Sequence, residues 1–307
     1  MKIVQSSKFG LINKEPVVVA LGSFDGIHLG HQKVITTVCK MGKQLGIPCG
    51  VYTFDKHPLK VINPDIAPQS LMSRDQKISL LEEMGVDYYF EQVFTTDFSK
   101  LPFNKFVREI LAKKLKAKHV VVGEDFRFGN RGAGNINSLK VLGKELGFGV
   151  TVCSIKRAHG RKISSTTIRS LIREGKIKEI PDYLGRYYQL DGTVIHGDGR
   201  GKTLGIPTAN LRLKADFALP PNGVYAVYVR YDKQLYKGIA NFGDRPTFSG
   251  ADYSIEVHLL DFDGKLYGQV ILVDLVDFIR PEITFESPQE LINQIRKDIL
   301  YTASLLC

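Results

Sequence analysis

Two histidines three residues apart, His28 and His31, follow an apolar run and a glycine turn in the segment V-V-V-A-L-G-S-F-D-G-I-H-L-G-H-Q, residues Val17 to Gln32. Val17 to Leu21 reads as a buried strand stopped by Gly22, and a helix begins near His28. In an open α/β sheet, ligands bind in the crevice beyond the strand carboxyl ends, and a helix N-terminus there offers unpaired N–H groups to phosphate. Helical positions three apart share one face. Gly30, between the histidines, would let a ligand approach the backbone closely. Paired imidazoles beside a phosphate can donate hydrogen bonds to oxygens that gain charge in a transition state. A structural helix with two incidental histidines is the plainer reading, but it leaves the order of strand, turn and paired histidines unexplained.

Other segments carry donors for anions. Val122-Gly123-Glu124-Asp125-Phe126-Arg127-Phe128-Gly129 follows the apolar run His119 to Gly123, where a ligand-facing loop belongs. Ser164-Ser165-Thr166-Thr167-Ile168-Arg169 opens a helix whose hydroxyls can cap it, with Arg169 directed toward a phosphate-binding region. By itself that segment is an ordinary helix start with a surface arginine. In the carboxyl half, Gly197 to Asn210 reads G-D-G-R-G-K-T-L-G-I-P-T-A-N. A Walker A loop would need glycine where His196 stands and a helix after it, so that reading is rejected. A glycine-rich loop with Arg200 and Lys202 can still wrap phosphates through its N–H groups. In Ile255 to Leu260 the alternation sets Glu256 and His258 on the face opposite Ile255, Val257 and Leu259, where they could be merely solvated or face a ligand.

The elements that must position these residues fall into two textures. Up to about residue 180, strands alternate with helices. Strands are expected at Val17 to Leu21, Cys49 to Phe54, Asp87 to Gln92, His119 to Gly123 and Val150 to Lys156. Helices are expected at Leu29 to Gln44, Ser73 to Met84 (Ser73 capping, with Gln76 completing a box), Asn104 to Leu115 and Ser138 to Leu146. This alternation predicts a parallel sheet covered on both faces. Beyond Pro181 the pattern is strand and turn: Tyr188 to His196, Gly223 to Tyr231, Gln234 to Asn241, Ser254 to Leu260 and Gln269 to Ile279. Asp263-Gly264 reads as a hairpin turn, and a last helix spans Pro288 to Tyr301. Several short strands with regular turns predict a closed barrel or sandwich. The boundary falls close to Pro181 to Tyr183.

At 307 residues the chain suits two domains. Hydrophobic residues make up 43% and charged residues 24%, which excludes disordered and fibrous classes. No apolar run approaches the roughly 20 residues of a membrane span, and Met1 to Gly10 has no apolar signal core, so a cytoplasmic location is expected. Cys39, Cys49, Cys153 and Cys307 form no C-x-x-C pair; isolated reduced thiols are expected, not disulfides or zinc. The net charge of +10 suits anionic ligands without choosing among nucleic acid, phosphate and nucleotide. The lysines from Lys113 to Lys118 read as a solvated helix end. There is no tryptophan, and no basic stretch interleaved with aromatics as in single-strand binders.

Together these segments resemble one family, the prokaryotic bifunctional riboflavin kinase/FMN adenylyltransferases, also called FAD synthetases. Gly22 to His31 matches its G-x-F-D-G-x-H-x-G-H pattern, the H-x-G-H motif of nucleotidylyltransferases. Thr53-Phe54-Asp55-Lys56-His57-Pro58 matches T-F-D-P-H-P except at Lys56, and Asp125 and Thr167 stand where the family often has Asn and Arg. In the carboxyl half, Gly205 to Asn210 matches G-x-P-T-A-N. Leu184-Gly185-Arg186, Pro221 to Tyr225, Asn241 to Phe248, Ile255 to Phe262 and Tyr267-Gly268 follow the family in order.

The resemblance implies a Rossmann-like α/β nucleotidylyltransferase domain over residues 1–182. A riboflavin kinase-like all-β barrel with a C-terminal helix would fill residues 183–307. It implies ATP as co-substrate, Mg²⁺, and riboflavin, FMN and FAD as substrates and products. By resemblance His28, His31 and Arg169 serve the adenylyl step and Glu256 is the base at the riboflavin 5′-hydroxyl. Ligand contacts would come from Gly22, Phe24, Gly30, Phe54, His57, Gly123, Asp125, Phe128, Ser164 and Thr166. In the second domain they would come from Gly199, Gly201, Lys202, Thr208, Asn210 and Asn241, with Thr208 and Asn210 also holding Mg²⁺; hard oxygen donors suit that ion. No nucleic-acid or membrane partner is expected, and a homo-oligomer is left open. Three rivals differ in class: a monofunctional FMN adenylyltransferase with a flavin-binding barrel, an adenylyltransferase for another phosphate ester such as phosphopantetheine, and a non-catalytic flavin- or nucleic-acid-binding regulator.

Overall fold

Five consecutive apolar residues, Val17 to Leu21, can all be buried only in a strand covered on both faces, and all five are buried. In the computed structural model this strand (β2) lies inside a parallel sheet with β1 (Lys2–Gln5), β3 (Cys49–Phe54), β4 (Tyr88–Gln92), β5 (Ala117–Gly123) and β6 (Gly149–Cys153), in the order β1-β4-β3-β2-β5-β6. The structure describes residues 1–11, 15–154, 156–197, 205–247 and 250–306. Val17, Val19 and Leu21 face a core that includes Phe106, Val107, Leu111 and Leu139. On the other face, Val18 and Ala20 are covered by helix α1 (Leu29–Leu45), which buries Val34, Ile35 and Val38.

By its contacts the chain forms two units. One holds Met1–Pro68 and Arg74–Ser164, the other Gln69–Ser73 and Ser165–Cys307. Gln69–Ser73 joins the second unit through paired backbone: Ser70 N–H donates to Asp216 (2.7 Å) and its carbonyl accepts from Ala218 (2.9 Å). In the first unit a two-residue ladder, β7 (Arg157–Ala158) with β8 (Arg161–Lys162), precedes Ser164.

The second unit is a closed antiparallel barrel. Its strands are β9 (Tyr188–Ile195), β10 (Ala209–Leu213), β11 (Gly223–Tyr231), β12 (Gln234–Thr247), β13 (Gly250–Leu259) and β14 (Val270–Arg280), in the order β10-β13-β12-β11-β14-β9. The pairing of β9 with β10 closes it. Alternate residues fill the core: Tyr225, Val227 and Val229 on β11, Ile255 and Val257 on β13, Ile271, Val273 and Leu275 on β14. The helix Pro288–Leu305 is tied to β14 by Arg280, whose Nε donates to the buried Asp298 (2.9 Å).

Several expectations are corrected. Asp263-Gly264 is not a hairpin turn, because β13 pairs with β10 and β12 while β14 pairs with β11 and β9. The α-helix expected over Asn104 to Leu115 is mostly a π-helix, Phe106–Lys114, and the bond from Leu115 N–H to the Ile110 carbonyl (2.8 Å) spans five residues. Cys39 and Cys49 are not isolated thiols: their sulfurs are 3.2 Å apart. The helix expected from Ser138 starts at Ile136, capped by Asn135 and Ser138 reciprocally. Strands β1 and β10 are additions that the sequence pattern does not announce.

Ile35 is fully buried where α1 packs on the sheet. Ile35→Ala is expected to lower stability by about 2–5 kcal/mol, measured as a lowered urea midpoint at unchanged slope. A loss below about 1 kcal/mol would contradict this packing.

Candidate active sites

In the first unit the chain passes from β2 to β3 and β4 on one side and then to β5 and β6 on the other. At such a reversal the loops leaving the two central strands diverge and open a crevice beyond their carboxyl ends. Two of the sequence's candidate loops start there. Gly22 follows β2 and Gly123 ends β5, with Ala20 opposite Val121 in the ladder.

The turn from Gly22 to His28 is held in an uncommon backbone. Phe24 (φ 48) and Ile27 (φ 38) are non-glycine residues in the left-handed region, and both side chains are buried. A Cβ on Gly22 would stand 3.0 Å from the Phe24 ring, so any side chain there would push on that ring. The Ser23 carbonyl accepts hydrogen bonds from the Thr53 hydroxyl and the Lys77 ammonium, each 3.0 Å, and the Ile27 carbonyl accepts one from Gln32 Nε2 at 3.0 Å.

That turn delivers the histidines. His28 stands just before α1, where its Nδ1 accepts the His31 N–H (3.2 Å) and caps the helix. With Nδ1 accepting, the proton of a neutral His28 ring is on Nε2. The two rings stack, centroids 3.7 Å apart and planes 15° apart. Gly30 serves this stack: a Cβ there would lie 3.1 Å from His28 Cε1 and Nδ1. His31 Nδ1 is buried and, among the described residues, makes no hydrogen bond, the mark of a group awaiting a ligand. Burial, then the His28 ring, then the Lys77 charge hold the His31 imidazole well below its ordinary pKa. Burial also lowers Lys77, with Asp25 and Glu91 acting against it.

Sequence reasoning misses Lys77 because a lysine inside a helix as charged as R-D-Q-K-I-S-L-L-E-E reads as solvated. Only the fold brings it from the helix Arg74–Glu83 to the carbonyl of residue 23. Its ammonium has three donors, so donors remain for a phosphate.

The other candidates of this half are placed as follows. Phe54, at the end of β3, packs edge-on against Tyr52, Phe94 and Phe98. His57 Nδ1 accepts the Leu59 N–H (3.2 Å), a local turn contact. Asp125 pairs with Lys162 at 2.6 Å, and both remain substantially exposed. Phe128 is buried and stacks on Phe126 (5.5 Å). Ser164 ends the first unit, and the preceding Ile163 carbonyl lies 3.8 Å from the Cβ position of Gly30, beside the start of α1. Thr166 and Arg169 lie on the helix Ser165–Arg173 of the second unit; Thr166 is exposed, while Arg169 is buried, its Nε donating to the Gln69 carbonyl (2.6 Å).

The barrel brings four candidates together. Asn210 on β10 and Asn241 on β12 each stand directly opposite Glu256 on β13. Directly opposed residues of antiparallel strands share a face, so the carboxylate lies between two amides. Thr208 donates its hydroxyl proton to Glu256 Oε2 (3.1 Å). His258, two residues on, donates from Nδ1 to the Pro207 carbonyl (2.8 Å) and so steadies the segment entering Thr208. Asn241 Nδ2 donates to Glu282 Oε1 (3.3 Å), and Gly197 leaves room for the Asn210 amide. Gly199, Gly201 and Lys202, with Arg200, lie outside the described residues.

Comparisons with known proteins also give two parts. A family model described as FAD synthetase matches residues 11–167, and one described as riboflavin kinase matches residues 184–306. The chain is 41% identical over 290 residues, covering 94% of it and 90% of the relative, to the bifunctional riboflavin kinase/FMN adenylyltransferase of Listeria monocytogenes. It is 39% identical over 285 residues to that of Buchnera aphidicola subsp. Schizaphis graminum, covering 92% of this chain and 91% of the relative. A solved structure described as a macrolide-efflux protein from Streptococcus pneumoniae has the same fold, with a TM-score of 0.89 and 31% identity over 99% of both chains. Among the described residues here, no helix is long and apolar enough to cross a membrane.

The depressed His31 pKa has a consequence for stability. The folded chain binds the His31 proton less readily than the unfolded chain, so stability is fully present above the unfolded value of about 6.5 and is lost as pH falls toward the folded value. Urea midpoints measured from pH 7.5 down to 5 should fall more steeply in the native chain than in His31→Gln. Parallel slopes would mean that His31 titrates normally.

Proposed function

The chain belongs to the bifunctional riboflavin kinase/FMN adenylyltransferase family, an FMN adenylyltransferase in its N-terminal part and a riboflavin kinase in its C-terminal part, and on that premise we propose which residues carry each reaction. The observation that carries the two-site reading is a stacked histidine pair at a helix start in one unit and a Thr208–Glu256 hydrogen bond in the other. We assign residues 1–182 to the first activity and 183–307 to the second, an assignment supported by the gap between the two family matches.

In the adenylyl step an FMN phosphate oxygen attacks the α-phosphorus of ATP, and pyrophosphate leaves. The nucleophile is already an anion, so neither a protein base nor a covalent intermediate is required. Positioning and charge stabilisation do the catalysis. His28, through Nε2, and His31 donate to phosphate oxygens as neutral rings, and Lys77 supplies positive charge at the same turn. Ser164, at the end of the same unit, holds phosphate; phosphate roles for Thr166 and Arg169 come from the family resemblance of their motif. Gly22, Phe24 and Gly30 shape the turn, while Phe54, His57, Gly123, Asp125 and Phe128 line the ligand crevice. Asp125 stands where the family often has Asn, and its pairing with Lys162 offsets the carboxylate's charge near a polyphosphate.

In the kinase step Glu256 accepts the proton of the riboflavin 5′-hydroxyl as its oxygen attacks the γ-phosphorus of ATP, and ADP leaves. Thr208 and Asn210 would hold Mg²⁺. A hydroxyl and an amide oxygen beside a carboxylate are hard donors that suit the ion. Bound there, Mg²⁺ would neutralise charge on the ATP phosphates. The glycine-rich loop with Gly199, Gly201 and Lys202 holds the phosphates, and Asn241 flanks the base. Flavins and adenine nucleotides are then the ligands that the chain needs. The free thiols of Cys39, Cys49 and Cys153 support a reducing, cytoplasmic setting.

Incubating the chain with ATP and Mg²⁺ plus riboflavin or FMN, then separating the flavins, tests the two sites independently. His31→Ala should slow FAD formation from FMN by roughly 10²-fold or more and spare FMN formation. Glu256→Ala should slow FMN formation by roughly 10²–10⁴-fold and spare FAD formation. Loss of both activities in either folded variant would overturn the assignment. Lys77→Met should slow only the adenylyl step, by about 10–100-fold. It should also raise the His31 pKa in an NMR titration; an unmoved His31 titration would remove Lys77 from the site.

A further inference from the structure

At the end of the first unit's sheet opposite the twin histidines, two thiols meet. Cys39 lies on α1 and Cys49 is the first residue of β3. Ordinary helix–strand packing would keep their sulfurs apart, but Gly42, three residues after Cys39, has no side chain. A Cβ there would stand 2.9 Å from the Ile47 carbonyl and 3.1 Å from Cys49 Cβ, so the glycine lets helix and strand close up. The result is an Sγ–Sγ distance of 3.2 Å, with Cys49 donating its S–H to Cys39. Asp87 Oδ2 fixes the Cys49 backbone by accepting its N–H (2.9 Å). Both sulfurs also face the Gly85 carbonyl, at 3.7 Å from Cys39 and 3.4 Å from Cys49. Neither is sealed in the core: both line a cavity of about 640 Å³ with Gly42, Lys43, Gly85 and Asp87.

We propose that Cys39 and Cys49 form a dithiol modification site, at which a small hydroperoxide entering this cavity oxidises the pair to an intramolecular disulfide. Cys39 is the attacking sulfur. Its thiolate takes the terminal oxygen of the hydroperoxide, the O–O bond breaks, and the leaving oxide is protonated to water, or to an alcohol for an organic hydroperoxide. Cys39 is left as a sulfenic acid. The Cys49 sulfur, already in contact, then attacks the Cys39 sulfur. The S–O bond breaks and hydroxide leaves as water with the Cys49 proton. In balance, two thiols lose two electrons and two protons, and the O–O bond is reduced. The Cys49 S–H bond holds the Cys39 thiol below its ordinary pKa, with Lys43 helping and burial and Asp87 opposing; the same contact pushes Cys49 up. The order of attack follows from the geometry: Cys39 is the more exposed of the two residues, 8% against 3%, and its sulfur is the acceptor of the Cys49 S–H. The reduced pair is the resting state, and neither sulfur touches the histidine turn.

The test uses the full chain treated with one equivalent of hydrogen peroxide, alkylated and digested with trypsin without reduction. Cleavage after Lys33, Lys40, Lys43 and Lys56 places the thiols on separate peptides, Val34–Lys40 and Gln44–Lys56. The expected product is these two peptides joined, about two mass units below their sum. It should form at least about tenfold faster than any oxidation of Cys153. In Cys49→Ser, dimedone should trap a sulfenic acid on Cys39; in Cys39→Ser, none should appear on Cys49. The proposal is overturned if both peptides emerge alkylated while Cys153 or Cys307 is oxidised, or if the cross-link joins two copies of the chain. It is equally overturned if dimedone labels Cys49 first. Should a serine variant not fold, the native peptide map alone decides.

Discussion

The carbonyl oxygen of Ser23 is the point on which the chemistry of the first unit rests. It accepts from Thr53 on one side and Lys77 on the other, so a single backbone acceptor joins β3, the helix Arg74–Glu83 and the turn after β2. The two left-handed residues beside it, Phe24 and Ile27, would relax to ordinary backbone if the turn were free. Burial of both side chains and these hydrogen bonds prevent that. Because the turn cannot relax, the chain enters α1 at one angle. At that angle His28 caps the helix with Nδ1 and stacks on His31. The strain is local, and its product is a pair of imidazoles held in register before any ligand arrives.

The electrostatics of the two units differ because their nucleophiles differ. A phosphate anion needs no deprotonation, so the adenylyl site has no use for a carboxylate base among its donors. Two imidazoles crowded face to face and buried cannot both hold protons in excess, and His31 gives way. A neutral imidazole still donates a hydrogen bond, and at Lys77 the nearby Asp25 and Glu91 act against the lowering that burial imposes. A riboflavin hydroxyl is a poor nucleophile until it loses a proton. In the barrel, the carboxylate proposed for that proton, Glu256, stands between Asn210 and Asn241.

How far the sequence exposes this depends on whether the determinant is local. Val17–Leu21, Gly22 and the two histidines stand within fifteen residues, and their strand, turn and helix are legible as such. Strand β1 is not, because it buries only Val4 and so no apolar run marks it. The π-helix is illegible because Phe106, Val107, Ile110 and Leu111 fit α and π windings equally well. Asp263-Gly264 carries a hairpin signal that barrel closure overrides, since β13 finds other neighbours. Lys77 and the Cys39–Cys49 contact depend on chain segments brought together by the sheet, and no spacing in the sequence encodes them.

The second site is placed by the barrel core. In β13, Ile255 and Val257 are almost wholly buried, and a one-residue slip would turn them to the outside and Glu256 to the inside. The hydrophobic alternation therefore locks the register that puts Glu256 opposite Asn210 and Asn241. β9 and β10 complete the closure, so Asn210 is fixed twice, by Glu256 on one neighbour and Ile195 on the other. A carboxylate gathered among polar partners gains little stability from them, because hydrogen bonds to it replace bonds to water. Its position is maintained by the apolar face behind it, and the active site inherits its geometry from residues that never meet a substrate.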